Sequence, residues 1–305
     1  MRATKHFIIT LAILFTFSFG VYLGAYQGFP FQQIQNAQNL LRLYAQLSYT
    51  FDDFGRLVSV EGKEVVQCPQ KTSKTGVILA IGQSNSANSG RHRFKTKYQA
   101  RVFNLFDGKC YNAQSPLLGA SGGQGEFMTP LADKLIESNI YDQIIIIASG
   151  ISGTPISRWA KNGDLNAMLI QTLKPLIKQY PITDIVWHQG ERDYQIYTHT
   201  DTYNSKFLSM YQSLKNIGVS APIHIAIATK CFYKSGDNNP VADAQKMLIK
   251  DYDDIFLGAN TDEIVRSKDR FDGCHFNKNG QEITANAFAE KIIELKKSRA
   301  SDLEK

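Results

Sequence analysis

The sequence predicts an α/β protein with a doubly wound, mostly parallel sheet flanked by helices, preceded by an N-terminal membrane helix. Three observations predict it. Short runs of Val, Ile and Leu, clearest at Ile144-Ile145-Ile146-Ile147, have the unbroken apolar character of strands buried on both faces. Longer amphipathic stretches separate these runs, as the crossovers between parallel strands require. Residues 7–26 carry no charge and consist mostly of Ile, Leu, Phe, Val and Ala.

In chain order, the uncharged run comes first. A helix of about 20 such residues just spans a hydrocarbon core. Arg2 and Lys5 precede it, which keeps the N-terminus cytoplasmic and exports the rest. The run exceeds the roughly 7–15 apolar residues of a signal peptide, and Leu23-Gly24-Ala25 is only a passable cleavage site. Residues 1–28 therefore read as a signal anchor in preference to a signal peptide. The catalytic part is then expected outside the cytoplasm, held to the membrane through residues 7–26, or secreted if that segment is cleaved.

Residues 29–50 follow the break at Gly28-Phe29-Pro30-Phe31. Ile34, Ala37, Leu41 and Tyr44 recur at helical spacing, which predicts an amphipathic stalk helix to about Leu47. Residues 51–75 read as a small hairpin and linker, with Leu57-Val58-Ser59-Val60 turning at Glu61-Gly62-Lys63 into Glu64-Val65-Val66. Residues 76–297 form the main domain and 298–305 a polar tail. Within the domain, strands are expected at 77–81, 101–106, 143–148, 184–188, 223–228 and 255–257. Helices are expected at 129–137, 165–179, 201–216, 241–250 and 281–296.

Composition narrows the function classes. The 34 Lys+Arg exceed the 28 Asp+Glu, for a net charge of +6, but the excess is thinly spread. No basic stripe with interleaved aromatics is present, which argues against a nucleic-acid binder. The four cysteines, Cys68, Cys110, Cys231 and Cys274, fit an exported protein and show no metal-ligand spacing. If they pair, the favoured arrangement is Cys68 with Cys110 and Cys231 with Cys274; four buried thiols are the alternative. No metal or organic cofactor is expected, and the sequence sets no oligomeric state.

On this map the unusual polar groups fall just after strands. Ser84 follows the first. Gly119-Ala120-Ser121-Gly122-Gly123-Gln124-Gly125 follows the second, and Gly150 to Trp159 the third. His188-Gln189-Gly190-Glu191 ends the fourth, and Asp272-Gly273-Cys274-His275 follows the last. In a parallel sheet these loops converge on one edge. Nucleophilic ester cleavage needs a hydroxyl, a base, a group that fixes the base's tautomer and donors for the oxyanion. Ser84 can supply the hydroxyl, His275 the imidazole, and Asp272 a carboxylate on the same loop. The backbone of Ser84, the glycine loop and the Gln189 amide can supply the donors.

These residues resemble the SGNH (GDSL-like) hydrolases, in particular their sialate O-acetylesterase-like branch with the acetylxylan esterases of carbohydrate esterase family six. The resemblance rests on GQSN at Gly82–Asn85, the glycine loop leading to Pro130-Leu131-Ala132, SGTPISRW at Ser152–Trp159, WHQGE at Trp187–Glu191 and DGCH at Asp272–His275. It implies a flavodoxin-like three-layer fold and an esterase acting on an O-acetylated glycan. It also implies Ser84 as nucleophile, His275 as base, Asp272 as orienting acid, and Ser84, Gly123 and Gln189 in the oxyanion hole. Gly122 and Gly125 stay open as the loop donor. Glu191 stays open as an alternative acid or as a support for the glycine loop; spacing favours Asp272. Arg158 and Trp159 are candidate substrate contacts, set against packing. An O-acetyltransferase or a non-catalytic glycan-binding protein would keep the same fold.

Overall fold

The computed structural model describes residues 49–232 and 238–303. The expected membrane segment and the stalk helix lie outside the described residues. Among those described, no helix is long and apolar enough to cross a membrane. Residues from Phe51 onward belong to one compact unit, which carries the main sheet.

The strands are Tyr49–Phe51 (β1), Leu57–Val60 (β2), Val65–Val66 (β3), Thr75–Gly82 (β4), Val102–Phe106 (β5), Lys109–Asn112 (β6), Gln143–Ala148 (β7), Asp184–His188 (β8), Ile223–Ile227 (β9) and Ile255–Asn260 (β10). The helices are Met128–Glu137 (α1), Ile156–Trp159 (α2), Asp164–Leu173 (α3), Glu191–Gln195 (α4), Thr200–Asn216 (α5), Pro240–Asp251 (α6), Thr261–Ile264 (α7) and Lys278–Leu303 (α8).

The eight-stranded main sheet has the order β10-β9-β8-β4-β7-β5-β6-β3. From β10 to β5 every neighbouring pair is parallel. Numbered along the chain, β4, β7, β8, β9 and β10 stand in the order 2-1-3-4-5, the flavodoxin-like arrangement. The extra strand β5 extends the sheet beyond β7, and β6 and β3 continue it antiparallel.

Alternate residues of each strand enter opposite cores. Val77, Leu79 and Ile81 pack with α3, α5 and α6; Ile78 and Ala80 pack with α1 and α8. A sheet covered on both sides explains why its strands are continuous apolar runs rather than alternating ones. The three layers leave the carboxyl ends of the strands as the open edge, with the direction reversal at β4 and β8.

Two local expectations need correction. Val65-Val66 does not fold back on Leu57–Val60; it pairs with Tyr111 and Cys110 of β6. The reason is covalent: Cys68, just beyond it, is disulfide-bonded to Cys110. The second disulfide joins Cys231 to Cys274, so both favoured pairings are formed. The helix expected to reach Gln179 stops at Leu173, because Pro175 has no N–H for the next rung.

Candidate active site

Strand β4 delivers its serine through a glycine that no other residue could replace. Gly82 has φ +129°, and a Cβ there would sit 2.1 Å from the carbonyl oxygen of His188. The Gln83 N–H donates to that same carbonyl at 2.9 Å, which draws the ends of β4 and β8 together. Ser84–Ser86 then forms a 3₁₀ turn, closed by Ser86 N–H to Gln83 O and Ala87 N–H to Ser84 O. As the first residue of that turn, Ser84 has an N–H with no acceptor inside it.

The Asp272–His275 turn is a self-contained device. Oδ1 of Asp272 accepts the N–H groups of Cys274 (2.9 Å) and His275 (2.7 Å). Its Oδ2 lies 2.7 Å from Nδ1 of the His275 ring. One carboxylate therefore shapes the turn with one oxygen and orients the imidazole with the other. Partial burial works against ionisation of Asp272, but the bonds from the His275 ring and the two backbone groups outweigh it and hold the carboxyl below its usual pKa. The Cys231–Cys274 disulfide and a Phe232 N–H bond to Gly273 O tie this turn to the chain beyond β9.

Asn85, beside Ser84, joins the two halves. Its Nδ2 donates to Cys274 O at 3.4 Å, and its Oδ1 accepts from Phe276 N–H at 3.3 Å. The peptide groups on both sides of His275 are thus held by the neighbour of Ser84. Arg270 adds a 2.6 Å bond from Nη1 to Cys274 O.

Glu191 does not meet His275. Its Oε1 accepts from Asn85 Nδ2 at 2.9 Å and lies 3.6 Å from Nδ1 of His188. Nor does it hold the glycine loop. Burial pushes its carboxyl up to about 7, against the lowering effect of the Asn85 bond. Burial, with Arg270 nearby, lowers His188 to about 3, so this histidine is neutral; its Nε2 lies 3.1 Å from the Thr261 hydroxyl.

Gln189 sits where the sequence puts it, after β8, but its side chain faces inward and is 0% exposed. Nε2 donates to Thr154 O (3.1 Å) and Asp193 Oδ2 (2.5 Å), and Oε1 accepts from Tyr203 (2.9 Å). Both amide hydrogens are spent. The expected oxyanion role of this carboxamide does not match the arrangement. Asp193 is buried too, and also accepts from Ile156 N–H and the Thr198 hydroxyl.

The glycine loop narrows its own alternatives. Gly125 N–H donates to Gly90 O at 2.7 Å, and Ser121 and Gln124 N–H are bonded as well. Among the described residues the N–H groups of Gly122 and Gly123 donate to nothing, so these two have a backbone donor to spare.

Trp159 is 0% exposed, edge-on to Trp187 at 5.6 Å, with Nε1 bonded to the Thr154 hydroxyl. It is a core residue, not a sugar platform. Arg158 is half-buried and pairs with Asp164 on α3 at 2.5 Å. The residues that sequence reasoning missed are Asn85, Arg270 and Thr154. Asn85 and Thr154 carried a signal, since they stand inside the GQSN and SGTPISRW motifs; Arg270 carried none.

Residues 74–294 match the family model described as carbohydrate esterase, sialic acid-specific acetylesterase. That is more than half of the chain. The protein belongs to this family. Solved structures share the fold of this sialic acid-specific acetylesterase family member. An Arabidopsis thaliana protein shares 17% identity over 72% of this chain and 98% of its own, with a TM-score of 0.57. NanS shares 17% over 76% of this chain and 100% of its own, with a TM-score of 0.54. At that identity the likeness shows the α/β fold. No curated protein sequence matches the chain. Family membership makes it a carbohydrate esterase.

Proposed function

We propose that the protein removes O-acetyl groups from a carbohydrate through an acetyl-enzyme on Ser84. Ser84 Oγ attacks the acetyl carbonyl carbon while His275 Nε2 takes its proton. The N–H groups of Ser84 and Gly123, or its neighbour Gly122, receive the oxyanion. Collapse breaks the bond to the sugar oxygen, which leaves with the proton from His275. Water then adds to the acetyl carbon as His275 takes its proton again; acetate departs and Ser84 is restored. Asp272 keeps the proton on Nδ1 and offsets the imidazolium charge.

The observation that carries this reading is the Asn85 bridge, which fixes the Asp272–His275 pair next to Ser84. The exported location belongs to the same reading: an anchor at residues 7–26 with the esterase outside the cytoplasm. Two disulfides support it, since such bonds persist in oxidising compartments.

The test is hydrolysis of 4-nitrophenyl acetate and acetate release from O-acetylated polysaccharides by the full-length chain. Ser84→Ala is expected to lose at least about 10³-fold in kcat, and a fluorophosphonate to label the wild type at Ser84. Full activity of Ser84→Ala overturns the mechanism. Acetylated glycan product in place of acetate would make the protein a transferase.

A further inference from the structure

We infer that Glu191 is a positioning residue that acts through Asn85, and that this pair sets the register of His275 against Ser84. The inference rests on the serine-esterase reading above. Asn85 is 3% exposed and its carboxamide touches three polar groups. Cys274 O can only accept from it, Phe276 N–H can only donate to it, and Glu191 Oε1 accepts from it when the carboxyl is ionised or carries its proton on Oε2. An amide turned by half a rotation would place oxygen against two acceptors and an NH₂ against a donor. Of the three contacts, the Glu191 bond is the shortest, at 2.9 Å against 3.3 and 3.4 Å. Glu191 therefore determines which way round Asn85 sits. Asn85 in turn determines where the backbone on either side of His275 lies.

The carboxylate is placed for this work and not for contact with the imidazole. It is buried, its Oε2 has no hydrogen-bond partner among the described residues, and the His275 ring is already bonded to Asp272. The anchoring of Glu191 is itself firm. It stands at the start of α4, behind Gly190, whose missing side chain lets the chain pass 2.2 Å from Ala228 O where a Cβ would be. The two residues that flank Gly190 in the WHQGE motif thus divide the labour: Gln189 knits the core beneath the strand ends, and Glu191 reaches across to the turn that bears the nucleophile.

A shift of about 1 Å in a catalytic group can cost about 10²-fold in rate without weakening binding. Loss of the pair should therefore appear in kcat. The experiment compares Asn85→Ala, Glu191→Ala and Glu191→Gln with Asp272→Asn, using 4-nitrophenyl acetate, after Ser84→Ala has shown that turnover depends on Ser84. Asn85→Ala and Glu191→Ala are expected to lower kcat about 10²-fold with KM within about threefold. Glu191→Gln keeps an acceptor for Asn85 and should recover most of that loss, while Asp272→Asn does not recover. The downfield proton resonance of the Asp272–His275 bond should persist in Glu191→Gln and vanish in Asp272→Asn. If an alanine variant fails to fold, the comparison of Glu191→Gln with Asp272→Asn decides. The inference is overturned if Glu191→Gln falls as far as Asp272→Asn, which would make Glu191 an acid partner of His275, or if folded Asn85→Ala keeps full kcat. Ser84-independent turnover sinks the esterase mechanism instead, a separate result.

Discussion

Replacing Asp272 by asparagine removes one charge and preserves the shape of the turn. In the native turn Oδ1 accepts two backbone N–H groups while Oδ2 faces Nδ1 of His275 at 2.7 Å. If the new side chain keeps its oxygen on the backbone, its NH₂ faces Nδ1. That nitrogen must then be bare, and the ring proton moves to Nε2, where it blocks proton transfer from Ser84. If the amide turns over, the correct tautomer returns but both backbone bonds are lost, at about 1 kcal/mol each. In either orientation the imidazolium loses its counter-charge, worth roughly 2–4 kcal/mol for a partly solvated contact. The turned-over route thus costs about 4–6 kcal/mol, or about 10³–10⁴ in kcat. KM should stay within about threefold, because Asp272 orients the base and does not hold the sugar. The assay is 4-nitrophenyl acetate hydrolysis between pH 6 and 9, with thermal unfolding to show that the variant is folded. A kcat within tenfold of the wild type would refute the assignment and return the acid role to another carboxylate.

Other expectations address stability. Trp159→Ala should lower the unfolding free energy by about 3–5 kcal/mol in denaturant titration, since the indole is wholly buried and hydrogen-bonded; a rise in KM with stability unchanged would restore it as a sugar contact. Changing Cys231 and Cys274 together to serine frees a link across 43 residues. The chain-entropy argument gives a loss of about 4 kcal/mol, and kcat should fall because Cys274 adjoins His275; unchanged stability and kcat would count against both. Burial raises Glu191 to about 7 from an ordinary 4.5. The folded protein then holds a proton that the unfolded chain releases, so Glu191 costs stability as pH rises through that window. Relative to the wild type, Glu191→Gln should gain up to about 3 kcal/mol between pH 4.5 and 7 and nothing further above it. Parallel stability curves would show that the carboxylate is not perturbed by burial.

The parts of the fold that the sequence made legible are those where one force dominates. Strands buried on both faces must be apolar throughout, so β4, β7 and β8 stood out, and the amphipathic crossovers followed. Lys109–Asn112 escaped because so short a strand carries little pattern, and Val65–Val66 was read as a strand but given the wrong partner, because its pairing is imposed by the Cys68–Cys110 bond. Asp272 and His275 were legible as a pair because they stand three positions apart on one turn. Gln189 shows where legibility stops: its position at a strand end is a sequence property, but the direction of its side chain is set by Thr154, Asp193 and Tyr203. Trp159 misled for the same reason: Thr154 stands in the same motif, but the bond that turns the indole into the core is not a sequence property. Asn85 was visible as a letter of a motif; that it grips the peptides beside His275 depends on a contact the chain makes far away.

That contact has a kinetic consequence. The Phe276 N–H to Asn85 bond closes a loop of 191 residues. Contacts of such separation come late in folding, after the intervening strands and helices have shortened the effective loop. Helical circular dichroism should therefore return ahead of ester cleavage when the protein is diluted from denaturant, and turnover becomes a clock for the final closure of the chain.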